Sequence, residues 1–409
     1  MYHCISNSRM MYTLRTTYTN NSIEGAKKYD KLIKEYLRAM MESYGDIDDE
    51  TWDTTLKQIQ LDRRVGGLGI KSATQHATAA YLTGFTAAKE VGSFYTDHQT
   101  INNAISQYNL QVNRKDQVNE ESLKKLSQKQ LSDRVTKKAY NDLENKFKPQ
   151  EMTEDAEADL NRLRSLNYVG TSSYLTPIVH PGTRPTLNNL VLNREEFHFA
   201  LRHHLGLPLL KINDRLESNK KPTCKIRKKD GYLCNEYADS TGKARHLTDK
   251  CRSVYTARHL GLRDSIVSIA ADLGITTRKD PDIFTRMDNR RPADWTQESL
   301  RGMQVFDATI ITTHYDKIKK GIIRKETSKI TKYKQVMGRL TPNARFYPFV
   351  MTTYGIVGNL DKPNMQDLVT RYRDIGVQQR MAHAKVYGYA IASMYKGMYA
   401  TIRHWKQGS

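Results

Sequence analysis

Four side chains of the kinds that bind metal lie close together in this chain of 409 residues, and they constrain its fold more than any other feature. Cys224, Cys234, His246 and Cys251 are separated by nine, eleven and four residues. Thiolates and a neutral imidazole suit a tetrahedral zinc ion, which adds folding free energy to a segment too small to build its own core. Because four protein ligands complete the shell, the sequence predicts a structural zinc knuckle. The wide first spacing leaves a second interpretation open, a degenerate knuckle with unpaired cysteines.

The chain is also strongly basic. Its 65 lysines and arginines outnumber its 44 aspartates and glutamates, which gives a formal charge of +21. Such a surface attracts polyanions, either nucleic acid or an anionic membrane face. No apolar run approaches the roughly 18 residues that a membrane helix needs, and residues 1–10 lack the apolar core of a secretory signal. We therefore expect an intracellular, soluble protein with no membrane partner.

Helical periodicity and charge indicate how the chain is organised. Three glycines between Leu61 and Ser72 break the first helical part, and Ser72 is placed to cap a helix that continues to Phe85. The sequence predicts an α+β multidomain protein. The predicted parts are a mainly helical part over residues 1–110, a charged helical linker over 111–185, a zinc knuckle region over 186–257, and an α/β domain with C-terminal helices over 258–409.

Two aspartates stand in or near a segment with the composition of a buried strand. Asp307 lies among β-branched and aromatic residues, and twelve residues separate it from Asp294. An ionised carboxylate in a buried strand is costly unless it meets a cation or a metal ion. A strand hairpin would bring the two carboxylates together, and magnesium prefers oxygen ligands. Asp294 and Asp307 are therefore candidate magnesium ligands.

A basic helix is predicted shortly after this strand. Residues 311–340 carry nine basic and two acidic side chains, and Glu326, Lys329, Lys332 and Tyr333 share one helix face. A lysine beside metal-binding carboxylates can orient an attacking hydroxide and stabilise the charge that develops on a phosphate. The residues alone leave two interpretations open, a site that hydrolyses phosphodiesters and a salt-bridged surface helix.

The order of these motifs resembles the C-terminal half of the polyprotein of non-LTR retrotransposons that carry a restriction-enzyme-like endonuclease. The resemblance covers most of the chain. The matching segments are Leu61–Ser72, similar to the glycine-rich segment in the reverse transcriptase thumb region; Cys224–Cys251 followed by Arg258-His259; Arg291-Pro292-Ala293-Asp294 followed by Asp307; Lys329 with Lys332 and Tyr333; and Phe346–Gly355, similar to the following strand.

This resemblance implies a fold and a set of roles. It implies a PD-(D/E)XK nuclease core in residues 258–409 and a thumb-like remnant in residues 1–110. Asp294 and Asp307 would hold the magnesium ion, and Lys329 or Lys332 would be the catalytic lysine. Asp280 stands where the family usually has a glutamate. The candidate accessory residues are Asp280, Glu326 and Tyr333, and the candidate nucleic-acid-binding residues are Arg258, His259, Arg290 and Arg291.

In that family the endonuclease cuts chromosomal target DNA so that the polymerase can prime from the break. The sequence shows no polymerase palm, so this chain is not expected to synthesise DNA. The resemblance implies a magnesium-dependent DNA endonuclease with a structural zinc ion, located in the nucleus. Its expected partners are target DNA, the RNA of the element and a reverse transcriptase moiety encoded upstream. The alternative is a non-catalytic nucleic-acid-binding protein derived from such an element.

Overall fold

The computed structural model is a mixed α+β structure, mostly helical with one four-stranded sheet. It describes residues 8–17, 19–42, 46–92, 98–148, 154–168, 192–209, 223–224, 226, 232–234, 246–281, 293–299, 302–312, 314–337, 344–360 and 362–407. The chain divides into two compact units, Met1–Leu163 and Arg164–Ser409. The α+β composition that the sequence predicts is therefore confirmed. In the part of the chain described, no helix combines the length and the apolarity that a membrane span requires.

The first unit is built from helices. They are α1 (Ser8–Thr16), α2 (Thr19–Glu42), α3 (Asp49–Gln60), α4 (Ala73–Glu90), α5 (His98–Leu110), α6 (Glu120–Leu123), α7 (Gln128–Lys146) and α8 (Glu154–Leu166), whose last turn crosses the unit boundary. The start of α4 is the one that the sequence predicts, because the Ser72 hydroxyl accepts a hydrogen bond from the Gln75 amide at 3.0 Å. Amides in a first helical turn otherwise lack partners, so this cap fixes where α4 begins.

Most of the predicted linker belongs to the first unit. Leu131 and Val135 of α7 are buried in a core cluster with residues of α4 and α5. Leu163 of α8 is buried in a second cluster. Helix α7 thus exposes its charges on one face and buries the other. The described residues of the linker predicted over residues 111–185 pack into the unit as far as Leu163, and residues 149–153 and 169–185 lie outside the described residues.

The second unit contains the sheet and the remaining helices. In chain order they are α9 (Arg194–Leu205), α10 (Arg252–Asp272), β1 (Thr277–Lys279), β2 (Trp295–Ser299), β3 (Gly302–Ile311), α11 (Ile318–Met337), β4 (Arg345–Thr352), α12 (Lys362–Asp374), α13 (Gln379–His383) and α14 (Tyr389–Gln407). Single π-helical turns, His246–Lys250 and Ala384–Gly388, precede α10 and α14.

The sheet has the strand order β1-β2-β3-β4. Strands β1, β2 and β3 pair antiparallel, whereas β3 and β4 pair parallel and are joined through α11. Neighbouring residues of a strand point to opposite faces. Trp295 and Phe306 therefore share one face, where their rings stack at 4.8 Å. On the other face, Val350 packs against Ile318 and Ile322 of α11, so α11 covers the face to which Asp307 points.

Two glycines set the distance between α10 and α14. A Cβ atom at Gly397 of α14 would lie 2.7 Å from the Ala257 carbonyl carbon, and one at Gly261 of α10 would lie 2.8 Å from the Ser393 carbonyl oxygen. Side chains at these positions would push the helices apart, so the two backbones meet because glycine permits it. The C-terminal helix α14 thus packs against α10 within this unit.

Candidate functional site

Asp294 and Asp307 lie side by side at the start of the β2–β3 pair. The Asp294 amide donates to the Phe306 carbonyl at 2.8 Å, one residue out of the antiparallel register in which Trp295 faces Phe306. Asp294 immediately precedes β2, and Asp307 lies within β3, next to Phe306. The two carboxyl groups are close enough for each to shift the pKa of the other. The structure thus places the two carboxylates that the sequence singles out beside each other.

Two cationic or polar side chains hold the carboxylates. Lys329 of α11 places its Nζ 2.5 Å from Asp307 Oδ2 and donates to the Ala308 carbonyl at 3.1 Å. His259 of α10 places its Nε2 2.9 Å from Asp294 Oδ1. The second oxygen of Asp294 accepts the Ala308 amide at 2.6 Å. The site therefore takes its side chains from α10, the strand pair and α11.

The electrostatics of the site follow from burial and these pairs. Burial raises the pKa of Asp307; the Lys329 ammonium opposes this, and the Asp294 carboxylate adds to it. For Asp294, burial acts to raise the pKa, but the bond from His259 and the Ala308 amide bring it below the usual value. Burial lowers the pKa of Lys329 despite the nearby Asp307. The pKa of Asp307 is thus raised, and that of its neighbour Asp294 is lowered, each relative to the ordinary value for an aspartate.

His259 is the fourth member of this cluster. Burial acts to lower its pKa, yet the hydrogen bond and the charge of Asp294 outweigh burial and raise it. The sequence assigned His259 to nucleic acid and did not connect it with Asp294. The two residues are 35 positions apart, and no local pattern indicates their contact. Only the packing of α10 beside the start of β2 reveals it.

The structure distinguishes the two candidate lysines. Lys329 is 8 % exposed and reaches Asp307. Lys332 is exposed and donates to the Tyr333 hydroxyl at 2.9 Å. Tyr333 is buried with its ring 5.0 Å from that of Phe346. Of the two lysines, Lys329 is therefore the one that meets the acidic pair.

The other two candidate accessory residues make different contacts. Glu326 is buried on α11 and accepts the Leu360 amide at 3.1 Å, and burial raises its pKa. Asp280 follows β1 with a positive φ of 43°, which a residue with a side chain rarely adopts. Its amide donates to the Asp294 carbonyl at 2.9 Å, while its carboxylate binds Arg263 at 2.7 Å. Asp280 thus meets Asp294 through the backbone, and its side chain is engaged elsewhere.

The candidate nucleic-acid-binding arginines fall into two groups. Arg258 is fully buried, with its guanidinium 5.1 Å from the Tyr255 ring. This burial contradicts the predicted contact with a phosphate backbone, because its guanidinium does not reach the surface. Arg290 and Arg291 lie outside the described residues.

The cysteine and histidine set forms a compact cluster. The ligand atoms of Cys224, Cys234, His246 and Cys251 all lie within 4.8 Å of one another. The Cys224 and Cys251 sulfurs are 3.9 Å apart, and Cys234 Sγ lies 3.4 Å from His246 Nε2. Ligand distances of about 2.3 Å for sulfur and about 2.0 Å for nitrogen give tetrahedral neighbours separated by roughly 3.5 to 3.8 Å. The four residues could hold a metal ion and are compatible with a structural zinc.

Backbone and side-chain contacts tie this cluster to two helices. Cys251 is the residue before α10 and donates its amide to the His246 carbonyl at 2.7 Å. Trp405 of α14 is buried and donates its indole N–H to the Thr223 carbonyl, next to Cys224, at 3.0 Å. The same helix that begins at a candidate zinc ligand therefore carries His259 to the acidic pair.

Comparison with known proteins assigns no family. No protein-family model matches the chain, and no curated protein matches it.

Proposed function

We propose that the second unit is a metal-dependent endonuclease that hydrolyses phosphodiesters in DNA, of the kind that non-LTR retrotransposons encode. The observation that supports this most is that Asp294, Asp307 and Lys329 lie close together. Two adjacent carboxylates with a buried amine beside them match the requirements of metal-assisted phosphoryl chemistry. Sequence resemblance and the net charge of +21 favour a nucleic acid as substrate.

Each residue of the cluster has a role in this proposal. Asp294 and Asp307 offer the carboxylate oxygens that magnesium prefers. They would hold a magnesium ion, which would supply Lewis-acid chemistry to the phosphodiester when bound. Lys329, fixed by Asp307 and the Ala308 carbonyl, presents its ammonium beside the carboxylates. It orients the nucleophile and offsets the negative charge that develops on the phosphate.

The cysteine and histidine cluster has a structural role in the same proposal. Its four ligands leave no position for water or substrate on a tetrahedral zinc ion, so the metal contributes folding energy and no chemistry. We place target DNA, the RNA of the element and an upstream reverse transcriptase moiety among the partners, and the nucleus as the location. These assignments rest on the resemblance of the motifs. The first unit would be the remnant of the thumb region.

One observation favours a second function, nucleic-acid binding without catalysis. Both carboxylates already have partners from the protein, since Lys329 contacts Asp307 and His259 contacts Asp294. A descendant of a nuclease that kept these pairs for stability would still bind nucleic acid through its positive charge. Such a protein would bind DNA with strong salt dependence and would show no metal-dependent cleavage.

Plasmid nicking tests the proposal. In magnesium, Asp307→Asn should lower the nicking rate at least about 100-fold, because the amide keeps the shape of the side chain and removes its charge. In the absence of metal, the acidic pair repels phosphate and so does not contribute to DNA binding. The DNA affinity of Asp307→Asn should therefore stay within about twofold of wild type. The control is Asp367→Asn, which alters an exposed carboxylate paired with Arg371. Equal nicking by the wild type and Asp307→Asn would contradict the proposal.

The two lysines provide a matched pair for the same assay. Lys329→Met should lose nicking, whereas Lys332→Met should keep it within about threefold, because only the first amine reaches Asp307. Both changes remove one positive charge from α11, so the comparison separates position from net charge. Loss of nicking in Lys332→Met alone would reassign the catalytic lysine.

A further inference from the structure

We propose that His259 is a positioning residue that fixes the carboxylate of Asp294 in the orientation in which it binds the catalytic metal ion. This inference rests on the proposed function and extends it to a residue that neither motif spacing nor the resemblance connects with the acidic pair. It replaces direct contact with nucleic acid as the role of His259.

The first argument is the geometry around Asp294. His259 Nε2 lies 2.9 Å from Oδ1, and the Ala308 amide donates to Oδ2 at 2.6 Å. A carboxylate held at both oxygens cannot rotate about its last torsion without breaking one of these bonds. Residues that hydrogen-bond to a metal ligand fix its orientation and keep it preorganised when no metal is bound.

The second argument is the rigidity of the helix that carries His259. Cys251, a candidate zinc ligand, immediately precedes α10. Two positions on either side of His259 make the close approach to α14, Ala257 opposite Gly397 and Gly261 opposite Ser393. A side chain between two backbone contacts of this kind has little freedom to move with its helix. His259 therefore holds Asp294 from a helix whose position is fixed by its packing.

The third argument is that each of the two carboxylates has its own partner side chain. Asp307 has its own cation in Lys329, from α11 on the other side of the pair. Asp294 has His259 from α10. Because the two partners come from different helices, the separation of the carboxylates depends on both helices being in place. Removal of the imidazole should loosen Asp294 and leave the Lys329 contact intact.

The test compares His259→Ala, His259→Gln and His314→Ala. His314 is a matched control, because its Nδ1 lies 2.5 Å from Asp316 on an exposed turn. Manganese affinity is measured by calorimetry on the full chain without DNA, DNA affinity is measured without metal, and nicking is measured across a magnesium titration. Zinc content and circular dichroism verify that each variant is folded.

His259→Ala should weaken manganese binding about 10- to 100-fold, which is the usual effect of removing a partner of a metal ligand. Its nicking rate should recover in part at high magnesium, and its DNA affinity should stay within about twofold. His259→Gln should restore manganese affinity to within about fivefold of wild type, because the amide nitrogen can donate to the same oxygen. His314→Ala should match the wild type in all three measurements.

Two results would overturn the inference. If His259→Ala weakens DNA binding and leaves manganese affinity unchanged, His259 contacts phosphate. If Ala and Gln are equally impaired in manganese binding, the effect is one of packing and not of the hydrogen bond. A wild-type chain that binds manganese through the aspartates but does not nick DNA would contradict the proposed function, while the manganese measurement would still decide the role of His259.

Discussion

One histidine from each unit shows how a packed core differs from the candidate site. In the first unit, His76 of α4 is 1 % exposed, and burial together with the charge of Lys71 lowers its pKa to about 3. In the second unit, the side chain of His259 is half-buried at 28 % exposed, and the hydrogen bond and charge of Asp294 raise its pKa. Burial alone leaves a neutral group that fills space. A buried charged partner costs free energy, and such groups cluster at functional sites.

Two aspartates make the same point. Asp30 of the first unit accepts the amides of Ala73 and Thr74 at 2.7 and 2.9 Å and the Ser72 hydroxyl at 2.7 Å. All its partners belong to the first turn of α4, so its role is to cap a helix. Asp294 shares its oxygens between an amide and an imidazole and lies beside a second carboxyl group. Asp294 is therefore a candidate ligand in the proposed function, whereas Asp30 is a helix cap.

The largest effect on stability is expected from the second unit. Cys251→Ser removes a candidate metal ligand at the start of α10, so zinc content should fall from about one equivalent to near zero. The second unit should lose several kcal/mol of stability, because a metal-stabilised segment gains its folding energy from the ion. Zinc analysis of purified protein and thermal unfolding would measure both.

The cysteine outside the set provides the control. Cys4→Ser should leave zinc content and unfolding unchanged, since Cys4 is far from the others in sequence. If Cys251→Ser retains full zinc, the four-ligand assignment is contradicted. Unfolding of the first unit should not respond to either change. This result would distinguish a unit stabilised by its apolar core from one that the proposed zinc ion also stabilises.

An intermediate effect is expected from acid on the first unit. The pKa of His76 is about 3 in the folded chain and 6.5 ordinarily. Because the folded value is depressed, the unfolded chain binds the proton first; the stability is present above pH 6.5 and is lost as the pH falls toward 3. The loss is up to about 1.4 kcal/mol for each pH unit below 6.5.

Denaturant unfolding near pH 7 and near pH 4.5 would measure this. His76→Met should remove about 2 to 3 kcal/mol of the acid sensitivity, because methionine fills the site and does not titrate. His98→Gln, which changes an exposed histidine at the start of α5, should leave it unaltered. The same acid sensitivity in the wild type and His76→Met would show that His76 is not the responsible group.

The smallest effect is expected at the cap of α4. Ser72→Ala removes the bond to the Gln75 amide and should cost about 1 kcal/mol. Asp30 still accepts hydrogen bonds from the amides of Ala73 and Thr74. The loss of stability should therefore lie at the lower end of the range for removing a helix cap. A thermal midpoint lowered by only a few degrees, with no change in zinc content or nicking, is the expected result. A loss of nicking would contradict the expectation that a change in the first unit leaves the candidate site in the second unit unaffected.

Local sequence patterns predicted the elements that depend on local physics. The cap at Ser72, the apolar face of α4 and the strand around Asp307 follow from capping chemistry, helical period and β-branched composition. The meeting of Asp294 and Asp307 could also be predicted, because a hairpin between adjacent strands makes it a short-range contact.

Contacts between distant elements could not be predicted in this way. His259 reaches Asp294, 35 positions away, because α10 packs against the sheet. Arg258 is adjacent in sequence but points into the protein, and a helix of 3.6 residues per turn separates such neighbours by about 100°. The packing of α7 was hidden by its charged face, which a single sequence does not distinguish from an exposed linker.

The most direct test of the central claim, that Asp294 and Asp307 act as one centre, is the single-turnover nicking rate of Asp294→Asn, Asp307→Asn and the double variant in magnesium. Residues that act as a unit give non-additive losses. Each single change should reduce the rate at least about 100-fold, and the double variant should be no slower than either. Equal rates in all four proteins, or a double loss equal to the product of the single losses, would contradict the account.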